Sequence, residues 1–338
     1  MRRLLVGCLL AATALLAQPK ITNAKLESKA GAGNLTAEVK AIVARQLQPA
    51  WIGYAVAAVP GEHNSCCYHS DSSQGIQWRG CMLEGQRPPG VQGAQGPIRL
   101  EGSRELQVLL RAEGGQITKI RSFSGDCDLD GGGLPFFWFT GVQPKDSLVL
   151  LDSFVSPGAT DRDRSAESAI AAIALHSGTD ADTYLEKYTN VSRPESLRKK
   201  AVFWLGAARG RAGFESLVRV LREDPSDKVK ESALHALTVS KELQALKQLI
   251  ESARSDKSPD VRGKALFWLS QKAGKESAAA IRGAVENDPE MRVKEKAVFA
   301  LSQLPKEQSV PMLIELARNN RSPEVRKNDQ NPRPSDRR

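Results

Sequence analysis

Apolar side chains recur along this chain with a period of 32 residues. Ala201, Ala233, Ala265 and Ala297 are each followed four positions later by a leucine: Leu205, Leu237, Leu269 and Leu301. Four positions before them stand Leu197, Val229, Val261 and Val293, and Val325 continues that series. A second register, Leu185, Leu217, Leu249, Ile281 and Leu313, keeps the same step. Within each period the apolar positions fall three and four apart, which predicts helices. One helix opens after Arg193-Pro194, Asp224-Pro225-Ser226, Ser258-Pro259-Asp260, Asp288-Pro289 and Ser322-Pro323. Proline costs little there, because its missing N–H would lack a helical partner anyway. The other helix holds 212–224, 241–254, 275–288 and 307–320. Two helices per period, repeated side by side, predict a solenoid of helical hairpins.

Before residue 160 the pattern changes. The segment 36–47 has one apolar face and predicts a helix capped by Thr36. The alternating stretches 104–112 and 116–124, joined around Glu113-Gly114-Gly115, predict a β-hairpin. The segment 144–155 predicts a helix leading into the array, and 61–103, rich in Gly, Pro, Gln and Ser, predicts a long loop. The expected organisation is a signal peptide over 1–17, a linker over 18–35 and a small cysteine-containing α+β domain over 36–143. A helical array follows over 144–327, then a disordered basic tail over 328–338. The fold class is mainly α: an α-α superhelix behind a small α+β domain.

The repeated second helix reads SLRKKAVFWL, DKVKESALHAL, DVRGKALFWL and RVKEKAVFAL. These segments resemble HEAT repeats, in the short bacterial form related to the phycobilisome lyases, and the resemblance covers about residues 160–327. It implies an exported bacterial interaction scaffold whose second helices line a concave surface. On a helical wheel Leu197, Ala201, Trp204 and Leu205 point one way, so Trp204 and Trp268 are expected in the core. Phe203, His235, Phe267 and Phe299 point the opposite way, flanked by Lys199, Lys200, Lys264 and Lys296. Rings and amines together make these eight the candidate partner-binding residues. The alternative is that neighbouring second helices bury the rings against each other. A further basic ladder, Arg198, Lys230, Arg262, Lys294 and Arg326, is read as structural, facing Asp224, Asp256 and Asp288. Val325 and Arg326 are in register to open another second helix, but Pro332 and Pro334 stop it. The half repeat leaves an apolar edge near Leu313, Leu316 and Ala317 that either docks a partner or continues in a longer natural chain.

Charge and cysteine content refine this picture. Arg2 and Arg3 precede an apolar run from Leu4 to Ala17, the pattern of a secretory signal peptide cleaved after Ala17, with Ala24 the alternative site. Leu5-Val6-Gly7-Cys8 has the form of a lipoprotein site, but the apolar run before it is too short. A periplasmic or secreted chain follows, with no other stretch of membrane-spanning length. The net charge of +9 favours an acidic protein partner, and export argues against nucleic acid. Cys66, Cys67, Cys81 and Cys127 are expected to form two disulfides, with the adjacent Cys66 and Cys67 in different ones; two connectivities remain open. The sharper alternative is zinc on His63, Cys66, Cys67 and His69. Asp126, Asp128 and Asp130 open a calcium-loop pattern whose twelfth position is Phe137 rather than an acid. The alternative function is therefore a metal sensor or enzyme in 63–81 and 126–131, with the repeats as docking arm. No phosphate-binding glycine loop and no Gly-x-Ser-x-Gly elbow occur. A nucleophilic Cys66 or Cys67 beside His63 or His69 would be silenced by oxidation. The chain is read as a binding protein that needs no cofactor.

Overall fold

The structure is a computed structural model describing residues 19–31, 33–61, 63–71, 76–85, 94–95, 102–156, 158, 163–272 and 274–328. The signal-peptide reading and the basic tail beyond 328 lie outside the described residues.

The amino-terminal part is built on strands β1 (Ile21–Thr22), β2 (Lys25–Ala30), β3 (Ala50–Ala57), β4 (Tyr68–Asp71), β5 (Ile76–Arg79) and β6 (Cys81–Met82). The remaining strands are β7 (Ala94–Gln95), β8 (Glu105–Glu113), β9 (Gln116–Ser124), β10 (Leu129–Asp130) and β11 (Pro135–Thr140). Five of them form a sheet in the order β2-β11-β3-β8-β9, with β11 parallel to both its neighbours and β3-β8-β9 antiparallel. The hairpin read from the sequence is β8-β9. The segment 18–35 is not a linker, because β2 forms an edge of this sheet and β1 joins a parallel set with β10 and β6. Lys25, Glu27 and Lys29 are polar because a sheet edge faces water, so this strand lacks the apolar run that marks a buried one.

Alternation divides the sheet into two buried faces. Ile52, Tyr54, Val56, Val108, Leu110 and Phe139 belong to the large core shared with the helices. Trp51, Leu109, Phe123, Phe136 and Trp138 form a second core with Cys81, Leu83, Cys127 and Leu129. A side chain at Gly53 would collide with Leu109 and with the Trp138 ring, so glycine leaves room for the indole.

Helix α1 (Leu35–Arg45) starts before Thr36. Its cap is Asn34, whose Oδ1 accepts from Ala37 N at 3.0 Å. This start places Leu35, 1% exposed, in the core. Twelve further helices follow among the described residues: α2 (Pro144–Asp152), α3 (Arg164–Leu175), α4 (Asp180–Thr189), α5 (Glu195–Ala208), α6 (Gly210–Glu223) and α7 (Asp227–Val239). After them come α8 (Ala245–Ser255), α9 (Pro259–Gln271), α10 (Lys275–Asn287), α11 (Met291–Ser302), α12 (Lys306–Asn319) and α13 (Pro323–Asn328). The 32-residue registers land in the interior, with Ala201, Leu205, Leu217, Val229, Leu237 and Leu249 all fully buried. Second helices pack on one another in the order α3, α5, α7, α9, α11 and α13, each with a first helix beside it.

Array and sheet share one core and one joint. Val59 N donates to Leu175 O at 2.8 Å and Ser177 N to Ala57 O at 2.9 Å, so the end of β3 is stitched to the end of α3. Beneath that seam Tyr54, Ser147 and His176 are fully buried. His176 Nδ1 donates to Ala172 O at 2.7 Å; a carbonyl only accepts, so Nε2 accepts the Ser147 hydroxyl at 2.8 Å. Ser147 Oγ is left to accept from the Tyr54 hydroxyl at 2.8 Å. Burial, the main cause, lowers the His176 pKa to about 4, with the Arg209 charge acting the same way against the Ala172 bond; burial likewise pushes the Tyr54 hydroxyl upward. Arg209 closes the joint, donating to the carbonyls of Ala174, His176 and Gly178 while pairing with Asp182 at 2.6 Å.

Candidate protein-binding face

Helices α5, α7, α9 and α11 turn their Ala/Leu register inward and leave one ring on the opposite side. Phe203, His235 and Phe267 are half-buried, and Phe299 is 50% exposed. The rings meet across helices: Phe203 lies 5.9 Å from His235, and His235 stacks on Trp268 at 4.6 Å with 16° between the planes. Trp204 and Trp268 are partly buried against the core, and each also meets the preceding phenylalanine edge-on, at 5.5 and 5.1 Å. The tryptophans thus serve core and stripe together. The corresponding positions 236 and 300 carry alanine, whose methyl cannot reach across a repeat as the indole of Trp268 does. The covering of rings by neighbours is therefore real at His235 and incomplete at Phe267 and Phe299.

The amines beside the rings are not idle. Lys200 pairs with Glu167 at 3.2 Å, Lys264 with Glu231 at 3.8 Å and Lys296 with Asp260 at 2.9 Å. Lys264 also lies over the Phe267 ring at 5.9 Å. Lys296 crosses the bare backbone of Gly263, where a Cβ would collide with its stem. Lys199 is half-buried and contributes, after the Ser226 hydrogen bond, to holding the Glu195 carboxyl below its ordinary value. The three pairs are at least partly exposed and worth little individually, so an incoming carboxylate can exchange with them at small cost.

Three rungs of the basic ladder are structural ion pairs, while Arg326 donates to the Asn320 carbonyl at 2.6 Å. Arg198 meets Asp224 at 3.0 Å, Lys230 meets Asp256 at 3.3 Å and Arg262 meets Asp288 at 2.8 Å, each bridging one repeat to the next. Burial alone would raise the Asp288 carboxyl, but the Arg262 bonds, the Glu290 N–H and nearby cations hold it below the usual range.

The four cysteines form Cys66–Cys127 and Cys67–Cys81. Backbone pairing selects between the two connectivities: Gly80 N donates to Cys67 O, Ser124 N donates to Ser65 O, and Leu129 of β10 faces Cys81 of β6. The sulfurs of Cys66, Cys81 and Cys127 lie within 4.8 Å of one another, but zinc binds thiolates, and these sulfurs are joined in disulfides. His69 lies on β4 and its side chain is outside the described residues, while His63 sits in the chain leading to Cys66. Of the Asp-rich turn, Leu129–Asp130 is a strand paired on both sides. Asp130 accepts from Asn23 and from Gly132 N, and Asp128 pairs with Lys20 at 3.7 Å. Asp126, at the start of the turn, precedes the disulfide-bonded Cys127. The buried Ser147–His176 pair has the contacts of a nucleophile and base, yet all its atoms lie in the core, away from any substrate. His176 could be read as a helix end; its partners Tyr54 and Ser147 carry no sequence signal.

The family described as HEAT repeats matches residues 181–265 and 246–328. No curated protein matches the chain. Among solved structures, human deoxyhypusine hydroxylase in complex with glycerol is 20% identical over 48% of this chain and 67% of its own, with a TM-score of 0.32. The complex of CpcE and CpcF of phycocyanin lyase from Nostoc sp. is 20% identical over 45% of this chain and 98% of its own, with a TM-score of 0.33. Neither likeness bears on what this chain binds.

Proposed function

Residues 181–328 are HEAT repeats, a helical scaffold, and on that premise we propose that this chain is an exported, non-catalytic scaffold that docks an acidic protein partner on its second-helix face. One observation carries the reading: Phe203, His235, Phe267 and Phe299 stand in a row across adjacent helices, the first three half-buried and Phe299 exposed, with an exchangeable lysine at three of the four steps. Aromatic area supplies contact and the amines supply steering toward acid. Export is supported by the basic-then-apolar start and by four cysteines placed for two disulfides. The test is a photo-crosslinking phenylalanine analogue placed at 299 or, as control, at the exposed Leu243, in cells making the protein. A discrete crosslinked protein from position 299 alone is expected; equal or absent products from both positions sink the reading.

The rival reading, a metal sensor or enzyme in 63–81 and 126–131, needs free thiols. Its discriminator is the native mass of the mature protein with and without alkylation. A chain four hydrogens short of its reduced mass, starting at Gln18 and taking up no alkyl group, is expected. A metal-sized excess with four alkylatable cysteines would replace the scaffold reading.

A further inference from the structure

The acid ladder breaks at its last rung. Asp224, Asp256 and Asp288 each follow a first helix, and each accepts the backbone N–H two residues on, at 2.8, 2.8 and 2.9 Å. Each also holds the cation of the preceding second helix. The next member of the series is Asn320. Its Oδ1 accepts from Ser322 N at 2.9 Å, so the turn is kept while the charge is gone. Lys294, the cation due to face it, makes no ion pair among the described residues and donates instead to Glu286 O at 3.2 Å. Lys294 and Asn320 line a cavity of about 640 Å³ together with Arg282, Arg321, Glu286 and Glu315. Arg282 holds both of those glutamates, at 2.9 and 2.7 Å. Lys294 and Arg321 therefore face the cavity without an ion pair of their own among the described residues; the carboxylate nearest in effect to Lys294, Asp288, is already held by Arg262.

We propose that this cavity binds an acidic segment of a protein partner, one carboxylate of which sits beside Lys294 where an internal aspartate sits in the three rungs before it. Those rungs show the ligand that fits: a carboxylate on a short stem, bridging a first-helix end to the cation. Arg321 offers a second cation for a neighbouring acid, and the volume admits several side chains. The site lies at the turns between repeats, apart from the aromatic stripe, and goes beyond the docking proposed there.

The test titrates the full chain at low salt with hexaglutamate and with inorganic phosphate, followed by calorimetry. Asn320→Asp restores the internal acid in a turn already built for it, so this variant folds; Lys294→Met removes the cation. Hexaglutamate is expected to bind the parental chain and to weaken at least about tenfold in each variant, as loss of roughly one charge pair implies. In Phe267→Ala/Phe299→Ala its binding is expected to be unchanged, which separates this site from the stripe. No binding to the parental chain, unchanged binding in Asn320→Asp, or loss only in the stripe variant overturns the proposal. So does phosphate binding as tightly with the same variant pattern, which would make the cavity a general anion site.

Discussion

His176 shows how one residue ties stability to pH. Its imidazole is neutral in the fold above about pH 4, whereas in the unfolded chain it takes a proton below about 6.5. The unfolded state therefore binds more protons between those values. The contribution is complete above about 6.5, is lost as the pH falls, and levels off near 4. Denaturant unfolding should show the parental protein losing about 2 kcal/mol between pH 7.5 and 5 on this account, at about 1.4 kcal/mol per pH unit below 6.5. In His176→Asn that difference should largely disappear, with lower stability at pH 7.5; an equal pH dependence in both would remove His176 as its source. None of this was legible in the sequence beyond a histidine near a helix end. Tyr54 and Ser147 lie 93 residues apart, and only packing brings them together.

At the scale of the element, the same ion-pair chemistry has two different weights. Arg262 and Asp288 are 6% and 7% exposed and joined by two hydrogen bonds, whereas Lys296 and Asp260 are open to water. Breaking a buried pair from one side leaves an uncompensated charge, so Asp288→Ala is expected to cost about 3 kcal/mol. Lys296→Ala is expected to cost less than about 1 kcal/mol. Thermal unfolding of the two variants checks this order. Glycine at a helix crossing offers a second test. A Cβ at Gly206 would collide with the carbonyl of Ala236, where α5 crosses α7. Gly206→Ala should destabilise the array although alanine favours helix, and a gain in stability would mean the helices can separate.

For the whole molecule, the disulfides staple the amino-terminal part and the sheet–array joint decides how the two parts hold together. Cys66–Cys127 closes a loop of 61 residues and Cys67–Cys81 one of 14. Chain entropy predicts stabilisation of about 4 and about 3 kcal/mol respectively. Cys66→Ser/Cys127→Ser should therefore lower the denaturant midpoint more than Cys67→Ser/Cys81→Ser. The large core runs without a break from the sheet through α2 and α3 into the repeats. Unfolding followed on sheet tryptophans and on helix signal should coincide at one midpoint; two separated transitions would show that the joint does not couple them.

The sequence by itself determined the array, because a 32-residue apolar period can be satisfied only by stacking like on like. It determined the β8-β9 hairpin, where alternation brackets a glycine pair, and the cysteine number that allows two disulfides. Tertiary structure alone decided the rest. Strand pairing over more than 100 residues put β2 beside β11 and made an edge of an apparent linker. Backbone contacts around Cys67 and Ser65 chose the disulfide partners. The stripe's openness depends on whether the next repeat offers an indole or a methyl, and the missing rung at Asn320 matters only because Lys294 faces a cavity. Periodicity records what a residue does to its own helix. Pairing, burial and charge balance are set between residues far apart in the chain, and local pattern carries no account of them.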